Sequence, residues 1–165
     1  MKRVIALLFL LTAAALPASY PPRLSASARV DLGGPWQFRV DPQREGIPSG
    51  WHEAPPADTE TVTVPHTWGT GRHEDHLGAA WYFKRVSLPA ALGNEHVELH
   101  IGAAFYRARV FLNGNEVGAH EGGHSSFFFD VTPLVRRENL IAIEVDNTPA
   151  DVRSRQPGTG QIFHR

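Results

Sequence analysis

Four consecutive residues, His73-Glu74-Asp75-His76, are all of types that bind metal ions or move protons. A cation site needs its ligands preset in distance and angle. The flanks here are Gly71 and Gly78, which preset neither, and no third distant ligand is evident. The segment therefore reads as a solvated polar loop, and neither a metal nor another cofactor is expected. His120 and His124 stand at a spacing that shares a face only in a helix, yet Gly122-Gly123 lies between them. Ser125 and Ser126 beside His124 raise a nucleophile and its base, but a hydrolase serine of that kind sits on a strand-to-helix elbow with glycines at set offsets, and none surrounds these. Ten Glu and seven Asp could supply a working carboxylate pair, but no two are singled out by spacing. Glu98, Glu116 and Glu144 lie on the outward phase of a strand or beside a turn, where a charged side chain is solvated. Gly69-Thr70-Gly71 leads into more loop rather than a helix N-terminus, so no phosphate cradle forms. No catalytic residue is expected in this chain.

The aromatic residues carry the remaining ligand chemistry. Trp36, Phe38, Trp81, Phe83, Phe105, Phe127 and Phe129 lie in strand-like runs and are expected in the core. Trp68 differs. It follows His66 in Val64-Pro65-His66-Thr67-Trp68, where a strand gives way to a glycine-rich loop. A loop tryptophan either stacks on a sugar ring or covers the end of the core, and both roles stay open here.

The elements that must position these groups are strands. His96 to Ile101 alternates Val97, Leu99 and Ile101 with His96, Glu98 and His100, the pattern of a half-buried strand. Tyr106, Ala108, Val110 and Leu112 alternate likewise, and the run ends at Asn113-Gly114, a two-residue hairpin signal because both positions tolerate positive φ. The returning strand is expected to begin near Glu116 and Val117. Ile141, Ile143 and Val145 form a further strand, while Trp81 to Leu88 and Ser126 to Val131 are apolar enough to be expected buried on both faces. Gly and Pro make 28 of 165 residues and fall between these runs. Beyond the apolar run that ends at Leu16, no window of eleven residues keeps helical spacing free of Gly or Pro. The expected fold is all-β, an antiparallel β-sandwich, with a jelly roll favoured over an immunoglobulin-like order.

The whole chain bounds the function further. One domain is the natural count for 165 residues, too few for an eight-stranded α/β barrel of about 250. A net charge of −1 without a basic run excludes a nucleic-acid partner. Zero cysteines remove disulfides and thiolate chemistry. Lys2 and Arg3 precede an apolar run from Val4 to Leu16, followed by Ala18 and Ser19, which is the layout of a secretory signal peptide. Thirteen residues are too few for the ~20 that span a bilayer, so no membrane association is expected. Residues 1–18 are thus expected to be a signal peptide, 19–30 a linker and 31–165 the domain, in a secreted or periplasmic protein.

The order of the motifs is more specific than any one of them. Gly34-Pro35-Trp36-Gln37-Phe38, VPHTW at 64–68, AAWYFKRVSLP at 79–89, VFLNGNEVGAHEGGHSSFFFDVT at 110–132 and NLIAIEVDNTP at 139–149 together resemble the N-terminal sugar-binding domain of family 2 glycoside hydrolases. That family includes β-galactosidases, β-glucuronidases and β-mannosidases. The resemblance implies a galactose-binding-like jelly roll in which Asn113-Gly114 is the family hairpin, Phe127 and Phe129 fill the sandwich, and Asp130 and Thr132 cap a turn before Pro133. Arg136-Arg137-Glu138 departs from a turn in which the family usually has glycine. The family's closing run is echoed in Gly160 to Arg165, with Gln161 in place of a glycine and His164 displacing an arginine.

In complete enzymes, as the resemblance implies, an immunoglobulin-like domain and a catalytic α/β barrel follow, and two barrel glutamates do the chemistry. Both domains are missing partners of this chain. The resemblance also implies that the loop after the valine-aspartate-asparagine strand touches substrate, which makes Asp146, Asn147 and Asp151, with His66 and Trp68, the candidate carbohydrate contacts. The expected function is the sugar-binding domain of a secreted, β-galactosidase-like family 2 hydrolase whose substrate is a β-glycoside. A free-standing carbohydrate-binding module and a non-binding structural module that packs on a partner domain are the alternatives.

Overall fold

A computed structural model describes residues 29–88 and 95–148 and, for the backbone alone, Gln161–Phe163. The expected signal peptide, nearly all of the expected linker and Asp151 lie outside the described residues. The strands are β1 (Gly34–Asp41), β2 (Glu60–Val64), β3 (His66–Thr67), β4 (Ala79–Ser87), β5 (Glu98–Ile101), β6 (Ala103–Ala104), β7 (Arg107–Leu112), β8 (Asn115–Glu121), β9 (Phe127–Asp130), β10 (Glu138–Asp146) and β11 (Gln161–Phe163). Among the described residues the helical content is one 3-10 turn at Gly71–His73.

All pairings are antiparallel. A six-stranded sheet runs β2-β1-β4-β10-β7-β8, and it faces a second layer built from β3-β11-β6 and β5-β9. The alternation in the sequence explains why. Phe38, Tyr82, Ile143 and Val110 point inward from the six-stranded sheet and meet Leu99, Ile101 and Val131 of the other layer. Phe38 is fully buried, and removing one such side chain from water contributes about 1.5–3 kcal/mol.

The hairpin between β7 and β8 forms where the Asn-Gly pair predicts it, with φ of 52° at Asn113 and 84° at Gly114. The return strand begins at Asn115, and the register shifts beyond Phe111↔Glu116 so that Val110 faces Gly118. Val117 is the bulged residue. The Asn113 side chain also ties the turn to the next loop. Its Oδ1 accepts from Leu140 N at 2.9 Å, and its Nδ2 donates to Leu134 O at 2.9 Å and Asn139 Oδ1 at 3.0 Å. Asp130 Oδ1 accepts from Thr132 N at 3.0 Å, the turn expected ahead of Pro133.

Two expectations about burial need correction. In β4 only Ala79 to Phe83 is buried on both faces, and the strand then alternates to Ser87. In β9 the burial alternates throughout, and Phe128 is 58% exposed. The difference has one cause. β4 is central and its outer face is covered, whereas β9 belongs to a two-stranded pair whose outer face is not.

The cover over β4 is the turn-rich segment 42–58. Trp51 and Ile47 lie on the outer face against Trp81, Phe83, Phe111, Leu140 and Ala142, a second small core. Trp81 stacks on Phe83 at 5.9 Å and on Phe111 at 5.6 Å, and Trp51 meets its edge at 6.2 Å. Asp41, 1% exposed, starts the segment by accepting from Glu45 N (2.8 Å), Gly46 N (2.9 Å) and Trp81 Nε1 (3.1 Å). Three donors offset the cost of burying that carboxylate.

Candidate functional site

The ends of β1, β4, β10, β7 and β8 lie side by side, since Asp41 faces Ala79, Ala79 faces Asp146, Asp146 faces Arg107 and Arg107 faces Glu121. Loops from these strand ends form one rim of the sandwich. Irregular chain held on rigid strands is where binding groups concentrate.

Asp146 closes β10 on this rim. Its Oδ2 accepts from Arg44 Nη2 at 2.7 Å, its Oδ1 accepts from Thr148 N at 2.8 Å, and its backbone O accepts from Tyr106 N at 2.9 Å. Burial works to raise the Asp146 pKa, but the bonds from Thr148 and Arg44 outweigh it and hold the carboxyl below the ordinary range. Arg44 reaches it from a turn residue with φ of 55°. The contact spans 102 residues, so nothing in the local sequence signals it. Beside this pair lies a cleft of ≈ 440 Å³ whose lining includes Arg107, Arg109, His120 and Glu144. Its acids are paired: Glu121 with Arg107 at 3.1 Å and Glu144 with Arg109 at 3.3 Å. Burial raises the Glu144 pKa, and Arg109 opposes the shift. Carboxylates locked against arginines supply hydrogen-bond acceptors rather than an acid and nucleophile pair.

Asn147 is 1% exposed and serves the fold. Its Oδ1 accepts from Gly78 N at 2.8 Å and its Nδ2 donates to His76 O at 3.1 Å. The same His76 carbonyl accepts from Trp68 Nε1 at 3.2 Å. Two of the candidate contacts therefore converge on one carbonyl and lock the 76–78 turn. Trp68 itself is 1% exposed, packed against Phe38 at 5.9 Å and Tyr82 at 6.3 Å, so its ring has no open face for a sugar. Of the two roles open to Trp68, covering the core is the one this geometry supports.

His66 is half-buried, and its Nδ1 lies 2.8 Å from Tyr82 Oη. Burial pushes the Tyr82 pKa far up, so the phenol keeps its proton. Burial also lowers the His66 pKa, which leaves a neutral ring at physiological pH. The two histidines of the 73–76 run diverge. His73 Nε2 meets Glu60 Oε1 at 2.5 Å, while His76 Nε2 donates to Ala79 O at 2.8 Å. Among the described residues no group of three or more His, Asp or Glu is placed to hold a metal ion. The geometry brings Asp146, Asn147 and Trp68 to the rim and its underside, leaves His66 half-buried against Phe38 and Tyr82, and adds Arg44, Tyr106 and Arg107.

A family model described as glycosyl hydrolase 2 galactose-binding domain-like matches residues 73–164. A β-glucuronidase from Paenibacillus borealis is 35% identical over 123 residues, which cover 71% of this chain and 21% of that protein. A β-galactosidase from Thermoanaerobacter pseudethanolicus is 34% identical over 96 residues, 53% of this chain and 13% of that protein. Among solved structures, a β-glucuronidase from Ruminococcus gnavus in complex with uronic isofagomine superposes with a TM-score of 0.67 at 30% identity, covering 70% of this chain and 20% of that one. The chain spans about a fifth, or less, of the length of these relatives.

Proposed function

The chain belongs to the glycosyl hydrolase 2 galactose-binding domain-like family, and on that footing we propose that it is the N-terminal, non-catalytic domain of a secreted family 2 glycoside hydrolase. The substrate class we assign is β-glucuronides. The carrying observation is the agreement of sequence and fold: a relative at 35% identity and a solved structure at a TM-score of 0.67 both bear the name β-glucuronidase. The 34% identical relative named β-galactosidase, matched over a shorter stretch, supports β-galactosides as the second reading. In this proposal the immunoglobulin-like and barrel domains supply the catalytic glutamates, and this domain completes the substrate pocket from its rim. Asp146 and Asn147 stand just ahead of the segment that contains Asp151 in the sequence, and that segment is the one assigned to reach the sugar. Lys2 and Arg3 ahead of the apolar run to Leu16 support export.

A domain exchange tests the proposal. The N-terminal domain of the Paenibacillus borealis β-glucuronidase is deleted, and residues 31–165 of this chain are fused in its place. Deletion is expected to abolish hydrolysis of a chromogenic β-glucuronide, and the fusion is expected to restore it, while the 165-residue chain alone reads background. A soluble, folded fusion with no turnover would overturn the assignment. Turnover of β-galactosides alone would transfer it to the second reading.

A further inference from the structure

Phe128 is the most exposed large hydrophobic side chain among the described residues, at 58%, and every other Phe, Tyr or Trp ring described is buried or half-buried. It stands on the outer face of the β5–β9 pair, opposite His100 in register. The two rings stack at 5.2 Å and 17°. One face of the phenyl ring is thus covered by the imidazole, and the other is open. The next pair along the ladder on the same face is Glu98 opposite Asp130, followed by His96. Glu98 holds both histidines, with Oε1 at 3.1 Å from His96 Nε2 and Oε2 at 2.7 Å from His100 Nε2. The bonds from His100 and His96 hold the Glu98 pKa below its ordinary range, and the bonds from Thr132 hold Asp130 low. Both carboxylates are therefore ionised acceptors with lone pairs to spare.

From this arrangement we propose that the outer face of the β5–β9 pair is a glycan-binding platform, on which a neutral sugar ring packs its C–H face against Phe128 and donates hydroxyl protons to Glu98 and Asp130. The chemistry decides against a protein partner. A stable protein interface buries at least about 1,000 Å², of which one aromatic ring provides a minor part. Here a single phenyl group is surrounded by two carboxylates and two imidazoles, whose burial under apolar protein surface carries a large desolvation cost. A saccharide offers one apolar face and a rim of hydroxyls, matching one exposed ring beside a row of acceptors. The platform lies on a sheet face rather than on the strand-end rim, so it is independent of how the domain completes a catalytic pocket.

The test is a titration of the ¹⁵N-labelled 165-residue chain with β-1,4-linked gluco-, manno-, xylo- and galacto-hexaose. At least one sugar is expected to shift amides of β5 and β9 progressively. Phe128→Ala is expected to weaken that binding about tenfold, or 1.4 kcal/mol, and Phe128→Trp to preserve it. Since Phe128 is a surface residue, an unchanged dispersion of the remaining amide signals shows that each variant is folded. Absence of shifts with all four sugars, shifts confined to other strands, or equal binding by Phe128→Ala would overturn the proposal. Concentration-dependent broadening of the β5 and β9 amides without sugar would overturn it in favour of self-association. Because the domain exchange reads turnover and this titration reads binding at Phe128, either can fail without the other.

Discussion

The side-chain carbonyl of Asn147 accepts a hydrogen bond from the Gly78 amide at 2.8 Å, and the Gly78 carbonyl accepts from the Asn147 amide at 3.2 Å. This reciprocal pair joins the end of β10 to the turn before β4 across 69 residues of sequence. With Asn147 Nδ2 on His76 O, the side chain helps close the rim. Asn147→Ala leaves the Gly78 N–H buried without that acceptor, a penalty of about 1–3 kcal/mol. Asn147→Asp keeps an acceptor for Gly78 but sets a carboxylate against His76 O, so it is expected to destabilise as well. Urea denaturation checks both, and a midpoint equal to that of the parent would return Asn147 to the ligand contacts.

Trp68 gives a prediction that separates its two roles. The ring is buried against Phe38 and Tyr82, so Trp68→Ala is expected to cost about 3–5 kcal/mol of stability. Trp68→Phe keeps most of the packing and loses the bond to His76 O at 3.2 Å, for about 0.5–1.5 kcal/mol. A sugar-stacking tryptophan would show the opposite ordering of effects, with stability intact and binding lost. Thermal melts of the two variants decide the matter.

The Arg44–Asp146 pair and Glu144 shape the acid response in opposite directions. Asp146 is held below its ordinary 3.8, so it protonates less readily when folded than when unfolded. Its contribution is fully present above that ordinary value and is lost as pH falls through the folded value. Glu144 is raised above its ordinary 4.5, chiefly by burial, so its charged form weighs against the fold at neutral pH and the penalty is relieved as pH falls through its raised value. The contribution of these two groups is therefore expected to rise as pH falls from neutrality and to be lost as pH falls further through the folded value of Asp146. Asp146→Asn and Arg44→Ala should both lower stability near neutrality and flatten the acid limb. Glu144→Gln should flatten the rise between neutrality and the maximum. Urea midpoints measured across the acid range read all three.

The sequence disclosed strands more readily than contacts. Alternation of Ile141, Ile143 and Val145, and of Ala108, Val110 and Leu112, is a local property and translates directly into β10 and β7. The Asn113-Gly114 turn is equally local. By contrast, the burial of Trp68 depends on Phe38 and Tyr82, and the pairing of Asp146 depends on Arg44, all distant along the chain. The exposure of Phe128 is hidden for a related reason. Three successive phenylalanines at 127–129 read as a fully buried strand, and only the position of β9 in a two-stranded pair shows that the middle one faces out. The segment 42–58 had no visible role because Ile47 and Trp51 follow neither strand nor helix period, yet they cover the outer face of Trp81.

That cover rests on a close approach that glycine alone permits. A Cβ on Gly46 would stand 2.3 Å from Trp81 Nε1 and 2.9 Å from Asp41 Oδ2. Neither neighbour can yield, since Trp81 is fully buried between Trp51, Phe83 and Phe111, and the Asp41 carboxylate is held by three donors. Gly46→Ala must therefore push the segment off the sheet or break the Trp81–Asp41 bond. Overpacking of this kind costs about 1–3 kcal/mol, and uncovering the outer face adds the exposure of Trp51 and Trp81. The expected signature is a lower urea midpoint accompanied by a red-shifted tryptophan emission in the native baseline. Trp51→Ala, which removes the cover without the clash, should give the same spectral shift. A Gly46→Ala protein with parental emission and midpoint would show that segment 42–58 is not held on the sheet by this contact.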